Sequence, residues 1–248
     1  MKLNNLFPRI PRPVRACLCT VLAIALLLSY YVMLGCPLLT MKQHFRRAEK
    51  AHLVGPSKIV DVLDEWEYGE FMKLYVAESD HGITFFGQYA DQHPYDYTDE
   101  KLYYFHYQEK GDDMTLCVAP NVWGLFWGGY DWAQTLPVYL FTENDQAVRA
   151  SVVFTISGNL GTRGFPKEIV HIADTTDRTE DDFFRFELYA DHAAELDALD
   201  YLASATSGSA SSGVTIDSQL NKISVVIRLY DVNDHLIAEQ QTTIFERE

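Results

Sequence analysis

The longest apolar run of the chain covers residues 16–41 and contains no charged side chain over its 26 positions. A helix of that length extends about 39 Å, and a bilayer core about 30 Å thick needs about 20 apolar residues. The run therefore predicts a transmembrane helix over residues 16–41. The apolar part of a cleavable signal peptide is shorter, roughly 7–15 residues, so we expect an uncleaved signal-anchor.

The segments on either side of this run complete the predicted membrane anchor. Residues 1–15 form a short basic tail, and residues 42–55 favour a juxtamembrane helix that ends at a Gly-Pro pair. The residues MLGC at 33–36 weakly resemble a bacterial lipoprotein box, but Leu34 and the apolar residues that follow depart from it. Four Lys or Arg on each side give a tie on the positive-inside rule. Because the tail is too short to fold, we expect the C-terminal domain outside the cytoplasm.

From residue 56 onward, short runs of apolar and β-branched residues alternate with turn-forming residues, which is typical of antiparallel strands. Three hairpins are predicted. Their strands are 71–77 with 83–89, 102–108 with 114–118, and 223–230 with 236–244. Three more runs read as strands, at 137–142, 147–156 and 183–189.

Two stretches of this part of the chain have helical spacing. Ile59, Val62, Leu63 and Trp66 predict a short helix, and residues 191–202 predict another, followed by a loop over 205–213. We therefore predict a mainly β fold. A single transmembrane helix precedes an antiparallel β-sandwich-like domain over residues 56–248, of which an Ig-like form is one version. A division of that domain near residues 132–136 stays open.

The charge of the chain is divided unevenly between its two parts. Residues 1–50 carry eight Lys or Arg against Glu49, a net of +7, and because the whole chain is −15, the remainder carries −22. A domain this acidic is repelled by phosphate backbones, which argues against nucleic acid as a partner. The only cysteine after residue 36 is Cys117, so this domain has no internal disulfide, and we expect Cys117 in the core.

Motifs that would indicate catalysis or a metal are not found. The histidines do not follow H-x-H or H-E-x-x-H spacing, and no G-x-S-x-G elbow occurs. Gly158, Gly161 and Gly164 are spaced like a phosphate loop, but Phe165-Pro166 blocks the helix that should follow. We expect no cofactor and no metal site.

One segment is unusual in composition. Trp123, Phe126, Trp127, Tyr130 and Trp132 lie within twelve residues on a glycine-rich stretch. Flat rings on a loop can stack on sugar faces or accept an apolar anchor from a partner. The same rings could pack inside the core or lie at the membrane interface. They are the candidate binding residues of the sequence.

The favoured function is a non-catalytic, membrane-anchored domain outside the cytoplasm that binds a protein or a glycan at the cell envelope. Its expected partners are the lipid bilayer, through residues 16–41, and that ligand. One alternative is a cell-envelope hydrolase that uses a carboxylate acid/base pair. Another is a structural subunit of a membrane complex. The identity of the ligand and the oligomeric state stay open.

Overall fold

The computed structural model describes most of the chain, with gaps. The described residues are 11–33, 40–64, 71–89, 103–111, 113–119, 134–160, 167–190, 192–207 and 220–247. The chain divides into two compact units. The first takes residues 1–53 and 92–102, and the second takes residues 54–91 and 103–248.

The described part of the first unit consists of two helices, α1 (Arg12–Met33) and α2 (Met41–Ala51). Within α1, the window from Pro13 to Tyr30 has a mean hydropathy of 1.9, and none of it is buried. This helix is long and apolar enough to cross a bilayer. The helix begins four residues before the predicted start at residue 16, because its first turn includes the basic residues Arg12 and Arg15.

The helical part of the first unit is interrupted before residue 41. Thr40 has an extended backbone, with φ −71° and ψ 155°, and begins α2 as its N-cap. The Thr40 hydroxyl accepts from the Gln43 N–H, and Gln43 Oε1 accepts from the Thr40 N–H at 2.8 Å, which is a complete capping box. A single helix through residue 41 is therefore not formed. At the other end, α2 stops at Ala51, and Leu53 takes a positive φ of 58°.

The described part of the second unit contains eleven strands and one helix. The strands are β1 (Lys58–Asp64), β2 (Phe71–Glu78), β3 (Gly82–Tyr89), β4 (Tyr103–Glu109), β5 (Met114–Val118), β6 (Gln134–Thr142), β7 (Arg149–Leu160), β8 (Lys167–Asp177), β9 (Phe183–Ala190), β10 (Leu220–Tyr230) and β11 (Leu236–Glu246). The helix is α3 (Ala193–Ser207). The prediction of a mainly β fold with antiparallel strands is confirmed.

These strands form three sheets. The first has the order β1-β2-β3-β4, the second β5-β6-β9 and the third β11-β10-β7-β8, and all the neighbours are antiparallel. Two of the predicted hairpins are found, β2 with β3 and β10 with β11. The third is wrong, because β4 pairs with β3 and β5 pairs with β6. The link between β4 and β5 carries the chain from one sheet to another.

The helix predicted from Ile59 to Trp66 is also wrong, since residues 58–64 form β1. The pairing of β1 with β2 shifts between Ile59 and Asp61, which makes Val60 the extra residue of a bulge. The bulge leaves Val60 and Leu63 facing the same core, three residues apart. That spacing imitates a helical turn in the sequence, while the β-branched residues of the segment favour the strand.

The second sheet is buried on both faces. On β6, Leu136, Val138 and Leu140 pack into a core shared with the third sheet and α3. Tyr139 and Phe141 of the same strand point to the other side, into a core shared with the first sheet. Cys117 belongs to this second core and is fully buried, as predicted. A strand covered on both faces has no polar alternation, which is why β6 reads as one continuous apolar run.

Candidate functional site

The aromatic cluster predicted from the sequence lies outside the described residues. Trp123, Phe126, Trp127, Tyr130 and Trp132 all belong to the connection between β5 and β6. That connection leaves the described chain just after Ala119, whose N–H donates to the Pro137 carbonyl at 3.0 Å. The neighbouring residue Val118 lines a cleft in the second unit.

The cleft has a volume of about 490 Å³, and residues of three sheets line it. Such a volume falls within the range of small-ligand sites, about 300–1,000 Å³. Its walls come from β4, β5, β10 and β11, with Ala205 and Thr206 of α3. In the described part of the chain, β4 ends the first sheet and β5 ends the second, whereas β10 and β11 are neighbours in the third. Two strand edges and one face of the third sheet thus border one space.

The edges of β4 and β5 are joined by a side-chain hydrogen bond and not by the backbone hydrogen bonds of a sheet. Gln108 of β4 donates from Nε2 to the Leu116 carbonyl of β5 at 2.9 Å. The Leu116 carbonyl therefore points away from β6 and toward the cleft. In the link between these strands, the Gly111 N–H donates to Thr115 Oγ1 at 2.9 Å, which turns the chain out of the first sheet. The two edges are held close, but they do not pair.

The position of β4 depends on a glycine in the neighbouring strand. Gly82 of β3 lies opposite Glu109. A Cβ at Gly82 would lie 2.5 Å from the Gln108 carbonyl and 2.5 Å from the Tyr107 ring. No larger residue fits there without moving β4. The absence of a side chain at Gly82 therefore allows Tyr107 and Gln108 of β4 to lie close to β3.

The charge inside the cleft is low. Burial lowers the pKa of His106 below its usual value, so the imidazole is neutral at pH 7. Its ring lies against Phe85 and Tyr104, with centroid distances of 6.5 Å and 6.3 Å. Amide and hydroxyl groups make up most of the remaining polar lining, and Glu109 is the one carboxylate among the described residues of the wall. These groups suit a neutral ligand with hydrogen-bonding ability.

A second polar cluster joins the first two sheets away from the cleft. Tyr139 is fully buried, and its hydroxyl donates to Asp61 Oδ2 at 2.9 Å. Arg185 Nη1 lies 3.1 Å from the same carboxylate oxygen, and Arg185 Nη2 lies 2.6 Å from Glu187 Oε1. Burial, and then the charge of Asp61, raises the pKa of Tyr139 well above its usual value. The phenol stays protonated, and the cluster acts as a clamp between β1 and the second sheet.

The helix α3 carries an acid in an unfavourable environment. Burial, and then the charge of Asp197 on the same helix, raises the pKa of Asp200 to about 6. Neither of these aspartates lies in the wall of the cleft. A raised acid pKa is typical of general acids, but here no second element brings a reacting partner to Asp200 among the described residues.

No family model matches this chain, and no curated protein or solved structure matches it.

The nucleophiles and metal ligands of the described chain do not form a further site. Burial raises the pKa of the Cys117 thiol, so this cysteine is protonated and inert. Among the residues that the structure describes, no three His, Cys, Asp or Glu side chains converge to hold a metal ion. The cleft is the best-formed candidate site.

Sequence reasoning did not find this cleft, because its walls come from segments more than 100 residues apart. Edge strands cannot be recognised until the pairing is known. One signal was present: the run YYFHY at 103–107 is aromatic, but every residue in it is half-buried. A strand whose large rings remain partly accessible is typical of the rim of a binding site.

Proposed function

We propose that this protein is a membrane-anchored binding domain, non-catalytic and facing out of the cytoplasm, that takes a partner into the cleft between its three sheets. The observation that carries this proposal is the meeting of two strand edges, of β4 and β5, with a face of the third sheet around a cleft of about 490 Å³. Supporting it are the apolar helix α1 and the acidic charge of the second unit. The domain itself we take to be sandwich-like, because its second sheet buries both faces.

The ligand that suits this geometry is an extended segment of a partner protein. The outer edge of β5 presents the Leu116 carbonyl, to which a strand added to this edge could donate a backbone N–H in place of Gln108 Nε2. The apolar floor under this edge, formed by Val118 and Val225, would take alternate side chains of the segment. The neutral polar groups of the rim fit a peptide backbone.

A neutral glycan is the second candidate. The same amide and hydroxyl groups of the lining would bind sugar hydroxyls. The hydrolase alternative has less support, because Glu109 stands without a second carboxylate among the described residues of the wall. The orientation rests on the short basic tail, as argued above.

Blocking the cleft should abolish ligand capture. Thr242 and Thr243 are adjacent and both exposed on β11. Thr242 lies opposite Val225 and lines the cleft, whereas Thr243 lies opposite Ser224 on the other face. We expect Thr242→Trp to weaken binding at least about tenfold, because the indole fills space that the ligand needs. Thr243→Trp is the matched control and should bind normally.

The measurement uses the full chain in lipid nanodiscs, a displayed library of ten-residue peptides and a panel of neutral oligosaccharides. Capture of peptides that Thr242→Trp abolishes, and that N-methylation of alternate peptide nitrogens also abolishes, supports strand addition. Capture of sugars with the same sensitivity supports the glycan. If both tryptophan variants bind as the unmodified chain does, the cleft is not the binding site. Equal melting temperatures of the two variants exclude unfolding as the cause.

A further inference from the structure

The helix α2 carries an exposed basic face of its own. Lys42, Arg47 and Lys50 are all exposed. At 100° per residue, the three side chains fall within about 140° of arc. Among the described residues, no carboxylate forms an ion pair with any of them. They therefore present three positive charges on one side of a short helix.

The remaining charges of α2 are already engaged. Arg46 Nη1 lies 2.5 Å from Glu49 Oε2, and the Arg46 guanidinium lies 5.0 Å from the centre of the Phe45 ring. Phe45 and Glu49 are both buried. Phe45 and Glu49 thus mark the packed side of the helix, while Lys42, Arg47 and Lys50 are exposed. The complete capping box at Thr40 shows that α2 is a distinct helix with its own start.

The position of α2 in the chain limits what its basic face can meet. Only residues 34–39 separate the end of α1 from Thr40, so Thr40 lies within about 25 Å of Met33. If α1 crosses the bilayer, α2 is held within reach of the surface where α1 leaves it. This step rests on the anchoring proposed above.

We propose that the face formed by Lys42, Arg47 and Lys50 binds the headgroups of anionic phospholipids on that surface. The charges are complementary, and a basic residue near an anionic membrane favours binding by about a factor of five. This binding would also hold α2 at the membrane surface, while the acidic second unit is repelled from the same surface. The basic face of α2 thus binds the lipid surface. The alternative that the test must distinguish is binding of this face to the chain's own acidic second unit.

The test is amide hydrogen exchange of residues 41–51, measured on the full chain in two kinds of nanodisc. One contains phosphatidylcholine alone, and the other contains 30% phosphatidylglycerol. We expect exchange to be at least about fivefold slower in the anionic discs, and 0.5 M NaCl should remove the difference. The triple variant K42Q/R47Q/K50Q should exchange at the same rate in both discs. Glutamine keeps the helix propensity of the positions, so α2 should stay folded.

A matched control removes the same charge from the second unit. K58Q/K222Q/R228Q should retain the lipid dependence of α2. Equal exchange of the unmodified chain in both discs would overturn the proposal, as would slow, salt-sensitive exchange in phosphatidylcholine alone, which would place the acidic unit on α2. Slowing by inorganic phosphate in neutral discs would indicate ion binding and would also overturn it. A chain that does not co-elute with neutral discs would instead contradict the anchoring by α1.

Discussion

Replacing Arg185 by Met should lower the free energy of unfolding by about 3 kcal/mol, since removal of one partner leaves charged groups in a partly buried place. Arg185 lies between the carboxylates of Asp61 and Glu187, at 3.1 Å and 2.6 Å. The Asp61 carboxylate is only 18% exposed. Without the guanidinium, two negative charges face each other across the junction of β1 and the second sheet.

The chain provides a matched control for this substitution. Arg228 Nε lies 2.6 Å from Glu239 Oε2, but that pair is on the surface of the third sheet, and Glu239 is 48% exposed. Arg228→Met should cost less than about 1 kcal/mol. Urea unfolding of the full chain in micelles measures both. In the Arg185→Met background, Asp61→Asn should recover part of the loss. Equal losses for the two arginines would show that the clamp does not hold the sheets together.

Replacing Asp200 by Asn should stabilise the fold at pH 8 and change it little at pH 4. The pKa of Asp200 rises from an ordinary 3.8 to about 6 in the folded chain. Between these values the folded state binds the proton more tightly than the unfolded state, so stability falls as the pH rises through this window. The shift corresponds to about 2–3 kcal/mol once the residual solvent contact of the carboxyl is allowed for. Asparagine has no charge to bury, so this loss should disappear.

A second aspartate should show the opposite sign. The Asp231 carboxylate accepts from the His235 and Asn233 N–H groups in the turn between β10 and β11, and these bonds lower its pKa. Its contribution to stability is present above the ordinary pKa and is lost as the pH falls. Asp231→Asn should therefore weaken the fold at neutral pH, and this effect should fade in acid. Thermal unfolding from about pH 2 to pH 8 measures both effects. A flat difference between Asp200→Asn and the unmodified chain would contradict the assignment.

Local signals in the sequence predicted the elements that are held by local bonds. The turn before Gly82 is closed by Ser79, whose hydroxyl donates to the Gly82 carbonyl, and the turn at Asp231 is closed by its own carboxylate. Both hairpins were predicted correctly. The link around Gly111, between β4 and β5, is also rich in turn-forming residues, yet these two strands belong to different sheets. Pairing is decided by distant strands, and turn residues alone do not reveal it.

The predictions of other elements were wrong or incomplete for identifiable reasons. The strand β8 was not predicted, because most of its positions are exposed or polar, so that only Val170 and Ile172 are buried apolar residues. The helix α3 continues to Ser207, into the stretch predicted as a loop from residue 205, because its small residues pack against the third sheet. The cleft depends on all of these pairings at once. Its lining could not be predicted from the sequence, whereas the apolar helix α1, which depends on one continuous segment, could.

The most direct measurement of the central claim is the fate of the N-terminal helix in cells. Intact cells are first treated with protease, and their membranes are then washed with alkaline carbonate. Mass spectrometry of the retained chain identifies its amino terminus and the parts that the external protease removed. The account predicts a chain that resists the wash, retains residues 12–33 and loses its acidic second unit to external protease. A chain recovered in the soluble fraction with an amino terminus beyond residue 40 would contradict it.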